Sequence, residues 1–218
     1  MLEASAEVAA LLEWGVAAAA LPGQAESGDL YLVRPIAGTG RSAGVLVAVV
    51  DGLGHGAEAA AAARLAVTAL GSHSHESLLS VFERCHQALK GTRGVVMSLA
   101  LFRPADSSLS WLGVGNVEGM LVRADAAGQI RRARKALLTR GGIVGGELPR
   151  LKPEVVPVAV GDTLIFATDG IREGFLDGLP ADATPQQQAD DILARYRKGT
   201  DDALVLVARY RGRTRTGR

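Results

Sequence analysis

The sequence predicts an α+β domain dominated by antiparallel strands, and three observations carry that reading. Short apolar runs rich in Val, Leu and Ile recur along the chain, punctuated by Gly, Pro, Asp and Ser, as strands and turns are. Two helical stretches follow the first strands in direct succession, and after them strand-like runs succeed one another with only turns between, the pattern of antiparallel pairing. Apolar residues make up 48% of the chain and charged ones 22%, an ordinary globular balance, and 218 residues suffice for one core. A single domain over residues 1–210 is expected, with the basic stretch 211–218 as a frayed, solvated tail.

The elements follow in order. After a short opening segment, LYLVRPI (30–36) and GVLVAVV (44–50) read as a hairpin broken by GTGRSAG. The alanine-rich stretch from Gly56 to Leu70 sets Leu65, Val67 and Leu70 at helical spacing, and Ser77 to Leu89 supplies a second helix. VVMSLALF (95–102), SLSWLGVG (108–115), VEGMLVRA (117–124) and a short GQIRR segment (128–132) read as a meander. PEVVPVAV (153–160) and DTLIFATDG (162–170) add strands. TPQQQADDILARYRKG (184–199) opens with Thr before Pro, as a helix N-terminus does, and DDALVLVARY (201–210) is the last strand. With aromatics at only 4%, Trp14 and Trp111 are both expected in the core.

Bulk properties exclude several functions. Twenty-four basic residues against 23 acidic ones give no electrostatic footprint for nucleic acid. Glu3, Glu7 and Glu13 interrupt the N-terminus and no basic region precedes them, which speaks against a signal peptide. The longest uncharged run there, Trp14 to Ala25, is 12 residues, short of the ~20 that span a bilayer. One cysteine, Cys85, excludes an internal disulfide and suits a reducing compartment. A soluble, cytoplasmic monomer with no membrane or nucleic-acid partner is expected.

The chemistry concentrates in VVDGLGHGAEA (49–59). Gly52, Gly54 and Ala57 match the spacing with which a dinucleotide turn admits a pyrophosphate. The context disagrees: the helix leads to GSHSHES and another helix, and Asp51 stands where it would repel the phosphates. A carboxylate ending a buried strand needs a cation, a partner or water, although Asp-Gly after a strand is also common turn chemistry. Asp169 and Gly170 end another apolar strand, Asp201 and Asp202 start the last one, and Asp29 precedes the first clear one. Carboxylates gathered at one sheet edge repel each other unless cations intervene. An all-oxygen donor set favours Mg²⁺ or Mn²⁺, and two such ions form a hydrolytic device that acidifies water and takes up phosphoryl charge. The glycines beside the acids are read as room for a phosphorylated side chain.

Read together, ESGDLY, VAVVDGLGHG, GDTLIFATDGIREGF and KGTDDALVLV resemble the ordered motifs of the PPM (type 2C) metal-dependent serine/threonine phosphatases. Within that family they are most similar to the SpoIIE-like branch and its stand-alone RsbX-type enzymes, from about Gly28 to Val207. The resemblance implies an α-β-β-α sandwich of two antiparallel sheets flanked by helices, with a two-metal site at one end. It implies that Asp51 bridges both ions and Gly52 lends its carbonyl, that Asp169 and Asp201 complete the second ion's shell, and that Asp29 acts through water or a weaker third ion. Asp51 and Asp169 are thereby the catalytic acids. The implied substrates are phosphoserine or phosphothreonine on STAS-domain proteins of the stressosome.

This chain departs from the family pattern at three points. Leu53 stands where many members carry histidine, and the register does not support His55 two residues later, which leaves the general acid open, with water at the cations as an alternative donor to the leaving group. Leu204 replaces a frequent threonine, and a phosphate-gripping arginine has no match. These departures motivate the alternative of a catalytically weak phosphoprotein-binding module. His73, His75 and Glu76 read as a polar helix connection, Cys85 and His86 as packing or surface residues, Asn116 as a turn residue, and 141–150 as either a loop or a groove border.

Overall fold

A computed structural model describes residues 11–37, 43–124, 133–180 and 182–212. The chain runs β1 (Leu12–Ala19), β2 (Asp29–Ile36), β3 (Gly44–Gly52), α1 (Ala57–His73), α2 (Leu78–Ala88), β4 (Val95–Arg103) and β5 (Ser108–Val114). It continues through β6 (Glu118–Val122), β7 (Arg134–Ala136), β8 (Glu154–Pro157), β9 (Thr163–Ala167), α3 (Pro185–Tyr196) and β10 (Ala203–Tyr210). One sheet has the order β1-β10-β9-β6-β7 and the other β2-β3-β4-β5-β8, each antiparallel between neighbours.

Alternation along each strand sorts its side chains into layers. In β3, Val45, Val47 and Val49 face the other sheet and join Ala100, Phe102, Trp111, Phe166, Leu204 and Leu206 in the central core. Leu46, Ala48 and Val50 face outward onto α1 and α2. Ile165, Val205 and Val207 face outward on the other side, against Ala189 and Ile192 of α3. Both faces of the central strands are covered, so their sequences read as unbroken apolar runs. The α-β-β-α sandwich is the expected one.

Local chemistry fits this plan. Six alanines of α1 are buried (Ala59, Ala60, Ala62, Ala63, Ala66 and Ala69), and their small side chains let the helix lie close to the sheet. A Cβ on Gly52 would overlap the Ala59 carbonyl. Ser77 caps α2 by accepting from the Ser80 amide. Thr184 and Gln187 form a reciprocal capping box on α3, with Pro185 in its first turn.

Three expectations need correction. The opening segment holds β1, which pairs with β10 from Leu12↔Tyr210 to Ala19↔Ala203. Its alanines carry little strand propensity; tertiary contacts make the strand. Gln186 of α3 accepts from the Val16 amide at 3.1 Å and donates to the Val16 carbonyl at 2.9 Å, so the helix covers the open edge as a neighbouring strand would. The meander is interrupted, because after β5 the chain crosses to the other sheet, where β6 pairs with β7 and β9. GQIRR lies outside the described residues. Trp111 is fully buried but Trp14 is 38% exposed. It sits on an edge strand, where the inner face is covered from one side only, and its ring meets Tyr31 of β2 at 5.8 Å between centroids.

Gly170 shows how tightly the two halves of the site meet. A Cβ there would overlap the Asp202 carbonyl oxygen, a backbone atom that cannot swing aside. Gly170→Ala is expected to destabilise the fold by about 2–3 kcal/mol, read as a shift of the urea midpoint without a change in slope. A midpoint equal to that of wild type would contradict this packing.

Candidate active site

The acids collect at one end of the sandwich because strand ends deliver them there. Antiparallel pairing of β2 with β3 sets Asp29 directly opposite Asp51, which puts both carboxylates on one face at close range. Across the sandwich, β9 and β10 are neighbours. Asp169 follows the first, and Asp201 and Asp202 precede the second. The Thr168 amide donates to the Leu204 carbonyl at 3.0 Å, which keeps these two strand ends in register.

Like charges and burial raise the acids together. Burial, reinforced by Asp29, Asp169, Asp201 and Asp202, pushes Asp51 up to about 9. Burial also dominates at Asp29, raised to about 7 despite a hydrogen bond from Thr168. Asp169 is raised by burial and by Asp201, with Lys198 and Asn116 opposing. The five acids singled out in the sequence thus share one electrostatic neighbourhood.

The same donor set settles what kind of ligand fits. It is all oxygen, mutually repulsive and partly desolvated, which suits a hard divalent cation. Among the described residues no group of three or more His, Cys, Asp or Glu side chains converges tightly enough to hold an ion alone, so an ion bound here would need water for the rest of its ligands.

Asp202 has another task. Its carboxylate accepts from the Leu21 and Gly28 amides, each at 2.7 Å, and the Gly28 carbonyl in turn accepts from the Gly52 amide at 3.0 Å. It is buried and ties the 21–28 loop to the Asp51–Gly52 strand end. Asp201 is half-buried and accepts only from the Asp202 amide, at 2.8 Å, among the hydrogen bonds described. Of the adjacent pair, Asp201 is the acid that retains oxygen lone pairs for a ligand.

Three residues that sequence reasoning missed complete the geometry. The Thr168 hydroxyl donates to Asp29 Oδ2 at 2.7 Å and accepts from the Leu204 amide at 2.9 Å, joining the two sheets beneath the acids. It meets the backbone of Leu204, whose own side chain lies in the central core. Asn116 is more than a turn residue: its amide donates to Asp169 Oδ2 at 2.8 Å. Lys198 donates from Nζ to the Asp169 carbonyl at 2.6 Å. Thr168 was findable from its place beside Asp169, and Asn116 from the glycine-rich hairpin that the family resemblance sets near the site, where the turn role was preferred; Lys198 is remote in sequence and gave no such signal.

The glycines have a different purpose from the one read in the sequence. At Gly52 and Gly170 the space is taken by protein backbone, from Ala59 and Asp202, and not left for a substrate side chain. His55 is exposed on the turn before α1. His73 and Glu76 contact each other at 3.0 Å, and Cys85 is buried in the α1–α2 layer. The His86 ring accepts from the Gly145 amide at 3.0 Å and Val144 bridges to Val95, so 141–150 is a docked loop. The dinucleotide reading falls, since the strand after α1 and α2 is β4, antiparallel to β3 and not the parallel partner that such a unit needs.

This sandwich, with acids from four strand ends at one pole, is that of a PPM-type phosphatase. The family model of Stage II sporulation protein E (SpoIIE) matches residues 41–211, and the chain belongs to that family, the SpoIIE-like branch of the metal-dependent serine/threonine phosphatases. It is similar to the phosphoserine phosphatase RsbX of Bacillus subtilis (strain 168), with 26% identity over 163 residues, 75% of this chain and 79% of that protein. Among solved structures, one described as "The bacterial stressosome: a modular system that has been adapted to control secondary messenger signaling" contains a chain with 30% identity. That match has a TM-score of 0.79 and covers 91% of this chain and 99% of the other. RsbX in complex with magnesium aligns with a TM-score of 0.77 at 20% identity over 92% and 96% of the two chains.

Proposed function

We propose that this phosphatase acts on phosphoserine or phosphothreonine of STAS-domain stress-signalling proteins, with two Mn²⁺ or Mg²⁺ ions held by Asp51, the Gly52 carbonyl, Asp169 and Asp201, and with Asp29 at the margin. The carrying observation is Asp51: a carboxylate at the end of a buried strand, opposite Asp29, whose ionised form is disfavoured by every acid around it. A divalent cation reverses that balance. The substrate class is supported by the names of the relatives, a phosphoserine phosphatase and a stressosome structure.

When bound, such cations supply a water acidified toward neutral pH and positive charge against the phosphoryl oxygens. The chain's own residues do the positioning. Thr168 holds Asp29 by its hydroxyl, Asn116 fixes one oxygen of Asp169, and Asp202 keeps the Gly28–Gly52 contact in place. His55 makes no described contact with the acids, which favours water as the proton donor to the leaving serine or threonine oxygen. We place the reaction in the cytoplasm, with the protein acting as a monomer; no helix among the described residues is long and apolar enough to cross a membrane.

The test is an assay on a phosphorylated STAS-domain protein. Phosphate release is expected with Mn²⁺ or Mg²⁺, loss of at least about 100-fold on chelation, and recovery on adding the ion back. Turnover that survives exhaustive chelation would overturn the metal centre. Turnover on small phosphoserine peptides but not on STAS-domain proteins would overturn the substrate class alone.

A further inference from the structure

We infer that Lys198 is a built-in counter-ion at Asp169 in the acid cluster, a positioning residue that steadies the metal-free site and competes with the divalent cation there. The inference rests on the metal-centre reading above. Its ammonium donates to the Asp169 carbonyl at 2.6 Å and lies close enough to the Asp169 carboxylate to favour its charged form.

The backbone aims this side chain. Lys198 follows α3, where the Arg172 amide donates to the Tyr196 carbonyl at 2.8 Å and the Lys198 amide donates to the Gly170 carbonyl at 2.8 Å. Ile171 and Arg197 form an antiparallel bridge between those bonds. The segment after α3 is therefore zipped to the segment after Asp169, and Lys198 grips two successive carbonyls, one by its backbone and one by its ammonium. A free surface lysine would have neither constraint, and its side-chain entropy would oppose a fixed position.

A fixed positive charge beside carboxylates has two linked consequences. It offsets their mutual repulsion when no ion is present, and it repels a divalent ion that binds the same acids. Removing the charge must therefore weaken the metal-free protein and strengthen metal binding. The opposite signs distinguish this role from a purely structural one, in which loss of the lysine contacts would weaken both.

The experiment compares wild type, Lys198→Met and Lys198→Arg by calorimetric titration with Mn²⁺ alone and by thermal melting after chelation. For Lys198→Met, Mn²⁺ dissociation constants roughly threefold to tenfold lower and a lower metal-free melting temperature are expected. Lys198→Arg, which keeps the charge, is expected to stay near wild type in both. Unchanged or weaker Mn²⁺ binding by Lys198→Met overturns the inference, as does an unchanged metal-free melting temperature. Failure of wild type itself to bind Mn²⁺ overturns the metal-centre reading beneath it, a separate result.

Discussion

Asp51→Asn is expected to remove activity and stabilise the metal-free fold at the same time. The carboxylate is the acid most strongly raised by burial and by its acidic neighbours, so its charge is a liability to the folded chain until a cation arrives. Asn keeps the shape, removes the charge and adds an N–H donor toward the remaining acids. Phosphatase turnover at saturating Mn²⁺ should fall by about 10²–10³-fold, since a lost metal ligand forfeits several kcal/mol of transition-state stabilisation. After chelation at alkaline pH, the variant should melt roughly 3–8 °C above wild type, at about 2–4 °C per kcal/mol for a chain of this size. A residue needed for packing would lose stability along with activity. A variant that keeps full turnover, or that melts lower than metal-free wild type, would disprove the assignment of Asp51.

The second large effect is a pH dependence that metal reverses. Asp29 and Asp51 are raised from 3.8 to about 7 and about 9 in the folded chain, so between the unfolded and folded values the folded state holds more protons than the unfolded one. Stability of the metal-free protein is then highest at or below about pH 4, falls as pH climbs through the folded values, and has lost this contribution above about 9. Cation binding requires the deprotonated acids, so saturating Mn²⁺ should restore stability most at the alkaline end. At one hundred times the dissociation constant the gain is about 2.7 kcal/mol, roughly 5–10 °C in melting temperature. Melting curves from pH 6 to 9, with chelator and with Mn²⁺, should diverge as pH rises. Parallel curves would show that these acids do not form a shared cation site.

Much of the fold was legible because its central strands and helices carry strong local signals. GVLVAVV needs no partner to read as a buried strand, and TPQQQADD announces a helix through Thr184, Pro185 and Gln187, whose capping box is present. β1 was illegible for the opposite reason. LEWGVAAA has weak strand propensity, and the strand is made by the edge of β10 and the side chain of Gln186. The crossing from β5 to β6 was also invisible, because a turn between two strands looks the same whether they pair with each other or part to separate sheets.

For the site, the sequence by itself determined which acids sit at strand ends and which glycines stand beside them. Those are properties of alternation and turn chemistry, written within a few neighbouring residues. Only the tertiary structure decided that Asp29 faces Asp51 across a strand pair, and that Asp202 spends its lone pairs on the 21–28 loop while Asp201 keeps its own. It also brought Thr168, Asn116 and Lys198 to the acids. Hydrogen bonds and Coulomb forces act through space, and the elements meet at this pole with partners separated by as many as 181 residues, a distance that no local pattern spans.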